Sequence, residues 1–373
     1  MKILEVQNKQ QENDFLRVAS LLYKNDSQFV HPLEQDIREI FDPKENPYYH
    51  NGDARRWILY NNAGELIGRV AAFYHSKLKN QHGESTGGMG FFECINDEKA
   101  AFLLFDTCKN WLKEKGLPGM DGPINFGEKD RFWGLMVSGF NNPSYLENYN
   151  PPYYQALFEA YGFKKMIEQS TSEITLDDFN FERFNRIAGR VLNNPVYRFE
   201  HYKDSEIDRF ARDFVSIYNQ AWSSRPDFTP MTLERVMTTL KALRPILLEE
   251  IIWFAYAHDE PAGFYVNTID VNQIFKHLKG KMDIWGKLKF LWYKKFGKIN
   301  RARGIVFGVI PKYQNHGLET GMIMRLYQAA VKLPHLRASE LAWIGDFNPK
   351  MHSLFNALGA KTTKIHYTYH CTF

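Results

Sequence analysis

The chain has 373 residues, too many for one ordinary compact domain and suited to two of roughly 150 to 200 residues each. Hydrophobic residues at 44%, aromatics at 15% and charged residues at 24% sit near globular averages, which excludes a disordered or fibrous chain. A net charge of +4 is too small to imply nucleic acid, and three cysteines without metal-ligand spacing (Cys94, Cys108 and Cys371) imply neither a disulfide framework nor a zinc site.

Along the first half, Glu12 to Tyr23 has Phe15, Val18, Ala19 and Leu22 at helical spacing, after a short strand and before the Pro32-Leu33 turn. Arg56 to Tyr60 and Leu66 to Tyr74 are strand-like runs joined by Asn61-Asn62-Ala63-Gly64, a hairpin signal. A third strand fits Gly90 to Cys94. Asp97 then caps a helix through Lys115 that Gly116 ends. Gly122 to Phe126 reads as the next strand, a long loop follows, and Pro152 to Tyr161 is a helix closed by Gly162-Phe163.

After a polar linker, the second half repeats the order from about Val196. Ser205 to Trp222 predicts a helix, and Ile251 to Ala257 and Gly263 to Thr268 predict strands around a His258–Pro261 turn. Beyond an insertion come a strand (Ile305–Ile310), a helix (Leu318–Leu333), a strand (Glu340–Ile344), a helix (Pro349–Leu358) and a closing strand (Thr363–Phe373). Each half therefore predicts a mixed, mostly antiparallel sheet flanked by helices, an α/β (α+β) arrangement with domains at 1–180 and 196–373.

The stretch Val309-Ile310-Pro311-Lys312-Tyr313-Gln314-Asn315-His316-Gly317-Leu318-Glu319 opens a predicted helix after a strand, where consecutive amides and a glycine suit an anion. It resembles the coenzyme A pyrophosphate loop of the GNAT acyltransferase superfamily, Gln/Arg-x-x-Gly-x-Gly/Ala, and the chain resembles two such units in tandem. Glu319 departs from the pattern, which has a small residue there. Asn348-Pro349 and the helix ending Leu358-Gly359-Ala360 resemble the superfamily's last helix. In many members a Tyr on that helix protonates the leaving thiolate, and the matching position here is Phe355.

The resemblance implies acetyl-CoA or a longer acyl-CoA as donor, held by Val309, Ile310, Gln314, Asn315, His316, Gly317, Leu318 and Asn348. The expected reaction is transfer to a small-molecule or lipid-like amine bound between the domains, with an amide near Val309 to Ile310 polarising the thioester. The first half, with Ile95-Asn96-Asp97-Glu98-Lys99 at the matching place, has two acids and no glycine, so no coenzyme is expected there. Gly122-Pro123-Ile124-Asn125, Tyr149-Asn150-Pro151-Pro152-Tyr153-Tyr154, Asn219-Gln220-Ala221-Trp222 and Phe228-Thr229-Pro230-Met231-Thr232 further resemble a bacterial family of uncharacterised tandem GNAT-like proteins.

Asp346, Glu128 and His352 are the titratable candidates for proton transfer. The 125–154 loop, with Asn125, Arg131, Tyr145, Tyr149 and Asn150, is long enough to suggest a substrate site, although its rings serve equally to plug the interface between halves. The insertion 275–303 holds ten basic residues against one acid, Asp283, a net of +9 that leaves −5 for the remainder. Leu288, Leu291 and Trp292 fall at helical spacing among its lysines. An anionic membrane surface or an acidic acyl-carrier protein fits that segment, as does a solvated basic cap on the sheet. No nucleic-acid-binding motif and no metal-ligand cluster is found.

The first residues turn polar after four positions, and no run of about 18 apolar residues occurs, so a cytoplasmic protein, peripheral to the membrane if the 275–303 insertion docks there, is expected. Two other readings stay open. One is a tandem module that has lost catalysis and keeps partner or membrane binding. The other is a transferase using aminoacyl-tRNA as donor.

Overall fold

The structure, a computed structural model, describes residues 1–77, 79–80, 83–224 and 228–373. Strand β1 (Lys2–Glu5) leads into helix α1 (Lys9–Leu22), which begins where the Asn8 side chain accepts the Gln11 amide and the Gln11 side chain reaches back to the Asn8 amide. A short helix α2 (Glu34–Ile40) follows the Pro32-Leu33 turn. Strands β2 (Gly52–Tyr60) and β3 (Leu66–His75) form the expected hairpin, with Gly64 at φ 80°. Next come β4 (Gly87–Cys94) and α3 (Glu98–Glu114), whose Asp97 cap accepts the Ala100 amide at 2.8 Å.

Strand β5 (Gly119–Gly122) lies earlier than the sequence suggests, and Ile124–Phe126 leaves the sheet. The long loop contains β6 (Leu135–Ser138), and α4 (Tyr154–Tyr161) ends on left-handed Gly162 before β7 (Lys164–Thr175). The polar linker contains a helix, α5 (Phe181–Leu192), because Phe184, Ala188 and Val191 give it a buried apolar stripe.

The second half runs β8 (Tyr197–His201), α6 (Ile207–Trp222), α7 (Leu233–Leu243), β9 (Trp253–Ala257) and β10 (Glu260–Ile269). The insertion then folds as a single turn α8 (Asn272–Phe275) and a helix α9 (Ile284–Phe296). Strand β11 (Arg301–Val309), α10 (Leu318–Ala330), β12 (Ala338–Gly345), α11 (Pro349–Leu358) and β13 (Lys361–Thr372) complete the chain.

The thirteen strands among the described residues join one sheet in the order β1-β2-β3-β4-β5-β13-β7-β12-β11-β10-β9-β8, with β6 paired to β13. That order contains an exchange. The last strand of the second half, β13, pairs with β5 of the first, whereas the last strand of the first half, β7, pairs with β12 of the second. The two exchanged strands run antiparallel to each other through the middle of the sheet, from Lys361 opposite Glu173 to His370 opposite Lys164.

Within each half one adjacent pair is parallel: β4 with β5 and β11 with β12. Both pairs part after a few residues. The first separates beyond Gly88 and Asp121, the second beyond Arg303 and Glu340. These two splays and the exchanged strands between them are what the fold offers to a ligand.

Candidate functional site

The two splays differ in what fills them. In the first half the chain plugs its own gap: the Ile124 amide donates to the Met89 carbonyl at 2.8 Å, and the Ile124 carbonyl sits so close to Gly90 that no side chain fits there. Tyr154 closes it further, its hydroxyl accepting the Cys94 amide at 2.8 Å and donating to Glu93 at 2.9 Å. Among the described residues no comparable plug occupies the second splay, where Ile305 and Ala342 are exposed.

The β11 edge facing the second splay carries free backbone. Ile310's amide donates to the Ala262 carbonyl at 2.9 Å, so it is consumed by the ladder with β10. Antiparallel pairing alternates, and Val309, opposite Gly263, therefore points its amide and carbonyl away from β10 into the gap. The Gln314 side chain confirms that direction by donating to the Val309 carbonyl at 3.1 Å.

The coenzyme-like loop follows. Gly317 adopts a left-handed conformation at φ 85° and caps α10, with Asn315 also left-handed at φ 66°. Gly317 offers no side chain to cap the α10 start, so its first amides must find partners elsewhere. Neighbours crowd the loop, however. Val191 of α5 lies 2.7 Å from where a Gly317 Cβ would be, His316 Nδ1 meets the Tyr197 hydroxyl at 3.2 Å, and Leu318 is in the core. Burial pushes the Glu319 carboxyl up, against the pull of its own amide, the His316 charge and the Asn315 amide. That carboxyl therefore sits on the amides that a phosphate would use.

Beside the second splay, where the exchanged strands meet the 125–154 loop, lies an open cleft of about 390 Å³, counting the solvent space at its mouth. Arg131 and Trp133 of the loop, Gln169 of β7, Arg303 of β11, Glu340 of β12 and His366 of β13 are among its walls. Under it is a buried charge network. Lys364 Nζ lies 2.6 Å from Glu147 and 2.7 Å from Glu340, which also accepts the Ser144 hydroxyl. Arg301 lies 2.8 Å from Asp270 and 3.6 Å from Glu340, and Arg303 donates to the Tyr145 carbonyl.

Burial alone would raise Glu147, but Lys364, His366 and Arg303 bring it down to about 2. Burial would lower Lys364, yet Glu147 and Glu340 hold it above the usual lysine value. The pair is ionised, fixed and fully committed. His366 differs: burial pushes it below the ordinary histidine value despite the nearby Glu147. Its Nε2 lies 3.1 Å from the Asn148 carbonyl, and since a carbonyl only accepts, that nitrogen carries the proton. Nδ1 is then the basic nitrogen of a neutral ring in the cleft wall. Gln169 Oε1 accepts from Thr368 at 3.0 Å, while its Nε2 is buried without a partner.

A second cleft, of about 600 Å³, shares Phe132 and Glu147 with the first. Its walls are mixed, with Phe29, Val30 and Phe91 facing Arg69, Glu93 and Asn148. At its base Glu93 accepts the Tyr23 hydroxyl at 2.7 Å and pairs with Arg69 at 3.4 Å, while Arg69 Nε is buried without a partner.

The sequence-predicted residues fall in different places. Arg131 lines the first cleft, and Tyr149 and Asn150 line the second. Asn125 and Tyr145 tie the loop down, Asn125 through the Glu128 carbonyl and Tyr145 through Arg303. Glu128 is exposed beside Tyr48. Asp346 bridges β12 to β7, its amide donating to the Glu168 carbonyl at 2.9 Å and its carboxylate accepting the Glu168 amide at 3.3 Å. His352 Nε2 lies 3.3 Å from the Gly345 carbonyl, and Asn348 caps α11 by accepting the Met351 amide. Phe355 is buried against Leu341 and Ile344.

Lys364, His366, Gln169, Glu340 and Glu147 were not singled out as a site from the sequence. The available signal was the alternation Lys364, His366, Thr368 within the closing strand, polar residues on a face that an ordinary sheet would bury with apolar ones.

A parallel pair that splays at the start of a helix recurs in both halves, and the fold is the tandem GNAT fold. No family model matches the chain. Among solved structures, a tandem GNAT protein from the clavulanic acid biosynthesis pathway superposes with a TM-score of 0.57 at 12% identity, covering 100% of this chain and 98% of that one. Two curated proteins align along nearly the whole length at 24% identity: protein YghO of Escherichia coli (97% of this chain, 93% of the relative) and the bacterial ceramide synthase of Caulobacter vibrioides (99% and 97%).

Proposed function

We propose that the chain is an N-acyltransferase that moves an acyl group from a coenzyme A thioester to an amine held in the cleft beside the second splay. The observation that carries this reading is the position of His366, a neutral buried imidazole in the wall of a cleft that Arg303 and Glu340, the last pair before the second splay, also line. Residues 1–180 and 196–373 serve as the two GNAT-like units, with coenzyme taken by the second alone.

In the reaction the amine nitrogen, held in the cleft, attacks the thioester carbonyl. The C–N bond forms, the C–S bond breaks, and coenzyme A leaves as its thiolate. His366 Nδ1 takes the proton that the amine loses. A thiol of ordinary pKa, about 8.5, leaves without an acid, so Phe355 in place of a tyrosine is no obstacle. The fixed Lys364–Glu147–Glu340 network holds β13, the loop and β12 together and thereby positions His366; Gln169 Nε2 is available to the substrate.

The full-length likeness to a ceramide synthase, together with the rings of Phe29, Phe91 and Phe132 in the second cleft, supports a long acyl chain and a lipid-like amine. Release of free thiol from palmitoyl-CoA with a long-chain amino alcohol as acceptor tests this. Turnover that needs both reactants and is lost in His366→Gln supports it. Neither thiol release nor calorimetric binding of acyl-CoA would leave the second reading, a non-catalytic module, which the Glu319 carboxyl over the loop amides favours.

A further inference from the structure

We propose that α9 is an interfacial helix that seats the protein on an anionic lipid bilayer. Asp283 starts the helix by accepting the Gly286 amide at 2.8 Å, and the helix then rests on the protein along one side only. Gly286 and Phe290 are buried on that side, and Tyr293 stacks on His277 with ring centroids 3.9 Å apart. The opposite side carries Ile284, Trp285, Leu288, Leu291, Trp292 and Phe296, each between 53% and 76% exposed.

At a helical 100° per residue, these six positions form one continuous stripe running the length of α9. Lys287 and Lys294 lie along one rim of the stripe and Lys289 along the other, and Lys295 falls within it, its ammonium 5.3 Å from the Phe296 ring. None of these four lysines enters an ion pair with another described residue. A solvated surface helix would carry its charges where the apolar side chains stand. Two exposed tryptophans inside a lysine border are instead the arrangement that suits the boundary between headgroups and acyl chains.

The charge distribution selects the partner. The insertion holds +9 while the remainder holds −5, so the attraction to anionic lipid is concentrated where the apolar stripe emerges. An acidic carrier protein would meet the lysines, yet it would leave the central apolar stripe without a matching surface. Among the described residues no helix is long and apolar enough to cross a membrane, so contact through α9 is with the surface.

Placement adds a consequence. Val30 belongs to the apolar cluster under α9, with Phe275, Leu278 and Phe290, and also lines the second cleft. A docked α9 sets that cleft beside the bilayer, where an amphiphilic substrate resides. This consequence rests on the acyl-transfer reading, whereas the docking does not.

Flotation with vesicles tests the docking directly, comparing phosphatidylcholine alone with a phosphatidylcholine–phosphatidylglycerol mixture. The wild-type chain is expected to float with the mixed vesicles and less as salt is raised. A Trp285→Ser/Leu288→Ser/Trp292→Ser variant and a Lys287→Glu/Lys289→Glu/Lys294→Glu variant are each expected to partition about tenfold more weakly. All six side chains are exposed, so both variants should keep the wild-type melting transition. Wild type that does not float overturns the proposal, as does flotation unchanged in the serine variant. Capture by an acidic carrier protein without vesicle binding, or a lipid-free dimer that the serine variant abolishes, also overturns it.

Discussion

Two neighbouring groups on β13 show how burial assigns opposite roles. Lys364 is balanced by Glu147 and Glu340 and is unavailable for proton transfer, while His366, one pleat further, is desolvated with a free ring nitrogen. Replacing Lys364 by Met removes the cation shared by two buried carboxylates and leaves Glu147 without its ion-pair partner, and denaturant unfolding is expected to show a loss of about 3–5 kcal/mol. Glu147 is depressed to about 2, below an unfolded value of about 4.3, so its contribution is complete above the unfolded value and lost as pH falls through about 2. Lys364 is shifted upward, so its contribution is complete below the unfolded lysine value and lost as pH rises through the folded one. Thermal melts of wild type against Lys364→Met across acid pH check this, since the gap between them should narrow on acidification. For His366, kcat/KM is expected to stay flat through neutral pH and to fall only below the ordinary histidine value of about 6.5. The Gln variant should lose about a hundredfold or more with coenzyme affinity retained.

At the scale of elements, the α10 entrance combines a loop shaped for an anion with an acid that competes for it. Glu319→Gln removes the charge without emptying the space, and calorimetry is expected to show coenzyme A binding strengthened by about threefold to tenfold. Gly317 is a poorer place to probe, because Val191 already touches the position of its Cβ and any side chain would disturb the α5 contact. Most elements were legible in the sequence because their signals are local. Asp97 caps α3, Pro349 opens α11, and Gly162 and Gly359 end their helices in the left-handed conformation. Helix α5 was hidden because its buried stripe of Phe184, Ala188 and Val191 is short and set among arginines. The charge network was less legible for a different reason. Glu147, Gln169, Glu340 and Lys364 lie on four separate segments, and only the tertiary pairing brings them together.

Across the whole molecule, the exchange of β7 and β13 makes the two halves interdependent. Either strand has the alternation to complete either half, so the pattern along the chain does not say which sheet it joins. Because each half supplies the other's final strand, residues 1–180 expressed alone are expected to aggregate. Co-expression with 196–373 should give a soluble complex that copurifies, and the intact chain should unfold in a single transition in differential scanning calorimetry. The exchange also places the cleft: its walls come from the first-half loop, β7, β11, β12 and β13, and neither half contains it alone. The most direct measurement is steady-state thiol release from a long-chain acyl-CoA, with and without an amine acceptor, for the wild-type chain and His366→Gln. Amine-dependent release that the substitution cuts about a hundredfold, with acyl-CoA binding retained, is the predicted result. Equal release by the two proteins would contradict it.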